Sequence, residues 1–205
     1  MERKFEMREE NFQAVHTSVE AVESCGQTVL RVVKTEKILQ GDENTYAKLA
    51  GPVFHNGEIQ VKMLSRLLPD APSHARGFIG IVFRASEDDG EFESFYVRPT
   101  NSQSDDPVRK AHGCQYFSYP TYTFAYFREK GIEKYEAPVD GIALDQWIEL
   151  KAVVNGCQGE FYVNGTLVLT VDDMKHGTDA QGAVGFYVDM GTEGFFKDLI
   201  VTQKG

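Results

Sequence analysis

Between residues 147 and 171 the chain alternates apolar and polar side chains and twice breaks that alternation with Asn-Gly, a pattern that an antiparallel meander satisfies and a helix does not. Ile148, Leu150, Ala152 and Val154 share one parity, and Asn155-Gly156 then supplies the positive φ angles of a tight hairpin. Residues 159–163 rise to Asn164-Gly165, and residues 166–171 descend to the polar turn Asp172-Asp173. Two successive hairpins are predicted.

The same period of two recurs along the chain. In residues 77–85, Ile79, Ile81 and Phe83 fall on one face, which predicts that Val82 and Arg84 look the other way and that Arg84 stands on an exposed sheet surface. In residues 93–100, Phe95 and Val97 oppose Tyr96 and Arg98. Residues 183–190 and 195–202 read as closing strands around a Gly-Thr-Glu-Gly turn, and residues 18–22, 28–33 and 58–64 read as strands nearer the start. Residues 34–39 read as one helical turn or an irregular loop. Fourteen Phe, nine Tyr and nineteen Gly lean toward strands and turns. With no internal repeat and no linker, residues 1–205 are expected to form one domain, long enough to bury about 70 % of its unfolded surface.

A formal charge of −10 without a long basic run argues against nucleic acid, and no stretch approaches the length of a membrane span. Cys25, Cys114 and Cys157 are too few and scattered for a disulfide framework, so reduced thiols are expected, with Cys114 buried. The first ten residues alternate charges and carry no apolar signal core; as it stands the sequence reads as cytoplasmic, or as secreted if a signal peptide has been removed. Nothing in the sequence sets an oligomeric state.

Four segments together carry a resemblance: Asp145-Gln-Trp147-Ile-Glu-Leu-Lys151, Phe161-Tyr-Val-Asn164-Gly165, Val171-Asp-Asp-Met-Lys-His176-Gly177 and Gly182-Ala-Val-Gly-Phe186. Over roughly residues 77–202 the chain resembles the concanavalin A-like lectin/glucanase superfamily, in particular its laminin G-like and 3-keto-disaccharide hydrolase-like domains. The resemblance implies an all-β fold, a jelly-roll sandwich of two antiparallel sheets whose concave sheet holds a sugar. Tyr96-Val-Arg98-Pro-Thr-Asn101, followed by Asp105-Asp106, Arg109, His112 and Gln115-Tyr116, is similar to a segment of bacterial members of that group. Two familiar signatures are missing. The glucanase run Glu-x-Asp-x-Glu has its nearest counterpart in Glu91-Phe-Glu93-Ser-Phe95, which lacks the third acid, and the Asp/Asn cluster of legume-type lectins is absent. No metal centre or cofactor is therefore expected, although the acidic pairs Asp88-Asp89 and Asp105-Asp106 leave a structural calcium open.

The parities opposite the core place Arg84, Tyr96, Arg98, Gln115, Tyr126, Arg128, Tyr187 and Asp189 on non-core strand faces, and Asn101 joins them from the segment after Arg98. Planar Arg, Gln, Asn and Asp groups chelate vicinal hydroxyls, Tyr rings cover the C–H faces of a pyranose, and three Arg suit an anionic sugar such as a uronate. The competing reading has the same residues lining a solvated face or pairing with Glu129, Glu136 and Asp140. The aromatic run at residues 116–127 reads equally as a hairpin crossing the core around Pro120 or as a stacking platform, and residues 100–113 as a polar loop at a binding mouth or a disordered surface loop. A catalyst would need converging proton donor and acceptor, for which His112 and Glu129 lead, followed by Asp105, Asp106 and Glu136. His176 belongs to a turn and reads as structural. Binding of a mono- or oligosaccharide, neutral or anionic, is the leading expectation. The alternatives are a glycoside-active hydrolase or lyase, 3-keto-glycosides included, and a protein-interaction module.

Overall fold

The computed structural model describes residues 1–24, 26–35 and 40–204. With strands numbered along the chain, one sheet runs β13 (Thr166–Val171), β12 (Gln158–Val163), β11 (Ile148–Asn155), β6 (Gly57–Leu67), β15 (Thr192–Gln203), β4 (Gln27–Lys34) and β3 (Thr17–Ser24), with β1 (Glu2–Phe5) also pairing β15. The other runs β10 (Glu136–Ala137), β9 (Cys114–Tyr119), β8 (Phe92–Val97), β7 (Ile79–Ala85), β14 (Ala183–Val188), β5 (Tyr46–Leu49) and β2 (Phe12–Val15). Neighbours in both sheets pair antiparallel.

Both hairpins form, the second turning on Asn164-Gly165 as read and the first on Gly156-Cys157, one residue later than read, with Asn155 still in β11. Asn155 pairs with Gln158 and Val163 with Thr166, while Gly156, Asn164 and Gly165 take φ of 57°, 48° and 79°. The sheets meet through rings: Phe95 of β8 stacks on Phe161 of β12 with centroids 4.3 Å apart. That contact assigns the faces. Phe95, Val97, Ile79 and Ile81 point between the sheets, and Tyr96 points away from them.

Three expectations are corrected. Arg84 does not stand on an exposed face. It takes φ of 53° at a bulge where the β7–β14 register slips between Ala183 and Gly185, so the strict alternation fails one residue before the strand ends. Its side chain is wholly buried and ion-paired with Glu93 at 3.1 Å. Tyr126 and Arg128 lie on a helix rather than a strand, and Glu129 is on the same helix. After β9 the chain turns at Pro120 and forms α3 (Phe124–Lys130), which Gly131 ends in the left-handed region at φ 63°; the two α-helices before it are α1 (Pro99–Ser102) and α2 (Pro107–Ala111). The polar stretch at residues 100–113 is therefore not an open loop. Proline begins each of its two short helices, and the Asp106 side chain caps α2 by accepting from the Val108 N–H at 2.9 Å. Residues 36–39, part of the stretch read as a helical turn or loop, lie outside the described residues.

The acidic pair Asp88-Asp89 has protein partners: Asp88 accepts from Ser86 and the Gly90 N–H, and Asp89 from Tyr46 and Lys48. Among the described residues no group of three or more His, Cys, Asp or Glu could hold a metal ion, and no helix is long and apolar enough to cross a membrane. The backbone N–H of His176 donates to Glu93 at 3.3 Å, a structural contact.

Cys114 is buried and its thiol is pushed up to about 12, chiefly by burial. At pH 8 only about one molecule in 10⁴ would carry the thiolate, so iodoacetamide is expected to leave Cys114 unmodified until the chain unfolds. Peptide mass mapping of native and urea-treated protein checks this.

Candidate functional site

The antiparallel order of the seven-stranded sheet brings five chain segments to one end. β8 and β14 finish there, just before Arg98 and Asp189, while β7, β9 and β5 begin there, after Phe78, His112 and Asp42. Backbone bonds knit this end together: Asp189 N–H to Phe78 O at 3.3 Å, Thr100 N–H to Arg76 O at 3.3 Å and Arg98 N–H to Gly113 O at 2.8 Å.

The sheet face turned away from the core is aromatic, and most of it is covered. Gly80 pairs with both Tyr96 and Tyr187, and its missing side chain lets their rings meet across β7 at 5.4 Å. Phe117 packs on both, yet Tyr96 is 2 % and Tyr187 0 % exposed. Asp42 ties the covering segments down: its N–H donates to Asp189 Oδ2 at 3.0 Å, and its Oδ2 accepts from Gln115 Nε2 at 3.4 Å and from the Phe124 N–H that starts α3. Of the run at residues 116–127, Phe117 is buried in this covered face and Phe124 stays exposed at its end. Sequence parity places rings on a face but says nothing of a segment crossing it.

What stays open is a cavity of about 440 Å³ at the strand ends, where Phe78 and Phe124 present ring surface beside Arg, Asn and Asp groups and the buried Tyr96 ring lies behind Arg98. Arg98 organises one wall. It donates to Glu136 Oε1 at 2.7 Å, His112 O at 3.1 Å, Tyr96 Oη at 3.0 Å and Gln115 Oε1, and its guanidinium lies 5.1 Å from the Tyr96 ring centroid. Arg128 projects from α3 over Phe124 at 4.9 Å and reaches Glu136 Oε2 at 3.3 Å, the oxygen that His112 Nδ1 also approaches at 3.3 Å. Asn101 holds His112 O at 2.8 Å through Nδ2 and accepts from Arg109 at 3.3 Å through Oδ1. Opposite, Asp189 takes Lys34 at 2.9 Å in a buried pair and accepts from Tyr187 at 3.0 Å.

Asp42 is the electrostatic anomaly. Burial first, and then the charge of Asp189, push its carboxyl up to about 7, while its Oδ1 is buried without a hydrogen-bond partner. At neutral pH this group is divided between acid and carboxylate, and as the acid it is a donor facing the cavity.

Of the residues singled out from the sequence, Tyr96, Arg98, Asn101, His112, Arg128 and Asp189 line this cavity. Gln115 and Tyr187 stand behind it, bonded to Arg98 and Asp189. Three lie elsewhere: Arg84 in its buried pair, Tyr126 packed against Tyr122 and Phe127, and Glu129 exposed beside Lys130. Sequence reasoning missed Asp42, Arg76, Phe78 and Phe124 as site residues, and noted Arg109 only within a motif. Phe124 sat in the aromatic run, but Asp42 in Gly41-Asp-Glu-Asn44 carries no signal of burial. A wider cavity of about 580 Å³ lies against the other sheet, where Gln27 and Lys62 both bond Asp198.

No family model matches the chain, and no curated protein matches it in sequence. Solved structures do. Carbohydrate binding module CBM66 from Bacillus subtilis superposes with a TM-score of 0.56 at 12 % identity, over 93 % of this chain and 98 % of that one. The chain has the concanavalin A-like sandwich fold. A protein of unknown function with a galectin-like fold, also from Bacillus subtilis, matches this sandwich at 0.59 and 12 % identity, over 99 % and 98 % of the two chains. A Crh5 transglycosylase in complex with NAG matches it at 0.56 and 13 % identity, over 100 % and 84 %. At such identities the concanavalin A-like sandwich is what is shared. What it holds follows from its own side chains.

Proposed function

We propose that this chain binds a carbohydrate in the cavity at the strand ends. The observation that carries the reading is the lining itself, in which ring surface at Phe78 and Phe124 converges with planar hydrogen-bonding groups at Arg98, Asn101, Arg109 and Asp189. A sugar has the same two-sided character, with C–H faces that pack on rings and an equatorial belt of hydroxyls that pairs with fixed donors and acceptors. The volume suits a mono- or disaccharide. The occurrence of the fold in a carbohydrate binding module and in a transglycosylase seen with NAG supports it further.

Calorimetric titration across neutral and acidic mono- and disaccharides tests the reading. Phe124 is 40 % exposed and carries the ring between Arg98 and Arg128, so Phe124→Ala is expected to weaken sugar binding by about tenfold. Failure of every sugar to bind, or full affinity in the variant, would count against it.

Asp42 favours a second reading, a glycoside-active enzyme. A carboxyl near neutrality in a cavity beside Asp189 is a reservoir for donating a proton to a glycosidic oxygen, with His112 on the same cavity as an acceptor. Glu129 has no part in it. Product formation from unmodified or 3-keto disaccharides, lost in Asp42→Asn with binding retained, would establish this reading; binding without turnover would refute it.

A further inference from the structure

We infer that the sugar taken by this cavity is an acidic one, whose carboxylate is held between Arg76 and Arg109. The inference rests on the carbohydrate reading above and adds the ligand's charge and the residues that select it.

Four guanidinium groups face one cavity in a chain of net charge −10. Arg98 and Arg128 share Glu136, and Lys34 takes Asp189. Arg76 and Arg109 are different. Among the described residues neither forms an ion pair. Arg76 Nη1 donates to backbone carbonyls of Ser73 at 2.9 Å and Ala75 at 2.8 Å, and Arg109 reaches Asn101 Oδ1 at 3.3 Å and Thr100 Oγ1 at 3.4 Å. These neutral acceptors orient the two forks without cancelling their charge. The Arg76 guanidinium is held below its ordinary value, by burial first and then by the charges of Arg109 and Arg98, so the positive charges are felt by one another across partly desolvated space. An oxyanion between the two relieves that repulsion and fills two planar forks whose geometry matches a carboxylate.

A monoanion fits better than a dianion. Asp42 and Asp189 line the same cavity, and a phosphate placed against them would be repelled where a single carboxylate is tolerated. The rings of Phe78 and Phe124 then cover the sugar's C–H face while its carboxylate points toward α1 and α2.

The test is calorimetric titration of the full chain with D-glucuronate and D-galacturonate, with glucose and galactose, with acetate, inorganic phosphate and glucose 6-phosphate, repeated for Arg76→Met and Arg109→Met. A uronate is expected to bind about tenfold or more tightly than its neutral counterpart, to lose that advantage in each variant and to weaken with added salt. Selectivity in the unmodified protein decides the matter even if a variant fails to fold. Equal binding of neutral and acidic sugars, or equal losses for both in the variants, overturns this inference while the carbohydrate reading stands. Silence from all sugars overturns both. Acetate, phosphate or glucose 6-phosphate binding as tightly as a uronate overturns the assignment to a sugar acid.

Discussion

Glu93→Ala is expected to cost about 3–5 kcal/mol of folding free energy, the range for stripping one partner from a buried ion pair. Both side chains of the Arg84–Glu93 pair are fully buried, and the pair closes one end of the sandwich. Arg84 donates to His55 O at 3.0 Å, Asn56 Oδ1 at 3.2 Å and Gly156 O at 2.8 Å, so one guanidinium ties β7 to the segment before β6 and to the β11–β12 turn of the opposite sheet. Glu93 also accepts from Tyr116 Oη at 2.8 Å. Alanine would leave Arg84 charged in a dry site and take the acceptor from the Tyr116 O–H, whose oxygen keeps only the Lys175 N–H at 2.8 Å. Replacing both partners by apolar residues, as in Arg84→Met with Glu93→Leu, removes the unpaired charge and is expected to recover a large part of the loss. Urea unfolding of the three proteins measures this; a loss below about 1 kcal/mol in Glu93→Ala would show that the pair does not hold the end shut.

Asp42→Asn is expected to stabilise the protein at pH 8 and to do little at pH 4. In the unfolded chain Asp42 loses its proton in the ordinary aspartate range near 4, and in the fold only at about 7. Between those values the folded protein holds a proton that the unfolded chain has released. The associated stability is therefore fully present below about pH 4 and is lost as the pH rises through 7. The groups acting on the carboxyl are Asp189, which opposes its ionisation, and Arg98, Tyr96 and the Phe124 N–H, which assist it; burial outweighs these. Lys34 is occupied with Asp189. Asparagine retains an oxygen for the Phe124 and Gln115 donors and cannot ionise. At about 1.4 kcal/mol per pH unit, the gain has a ceiling of about 4 kcal/mol at pH 8. Parallel denaturation curves from pH 4 to 8 check it, and a difference that does not change with pH would refute the assignment of this ionisation to Asp42.

The two predictions concern residues with unequal visibility in the sequence. Tyr96 on β8 and Arg98 just beyond its end were legible as neighbours on one face because a strand has a period of two, and the structure keeps them bonded at 3.0 Å. Arg84 was misplaced by the same rule, since one residue at φ 53° shifts the parity, and a bulge leaves no mark in an apolar-polar pattern. Arg128 reaches the cavity although its element was misread, because α3 folds back over the sheet end and lays Phe124 between Arg98 and Arg128. Tyr126 and Glu129, on the same helix, face other ways.

From the sequence alone came the strands around the meander and most of those that pair in the two sheets, though not β1, β2, β5, β10 or the helices: alternation set which residues share a strand face, and the two Asn-Gly dipeptides mark to within a residue where the meander turns, because both are local consequences of backbone geometry. The cavity belongs to the tertiary structure. Arg76, Asp42, Arg98, Arg109 and Asp189 come from separate segments and meet only because antiparallel pairing delivers strand ends and strand starts to the same edge. Whether a charge there is paired, buried or free depends on distances between residues far apart in the chain, which no local pattern encodes.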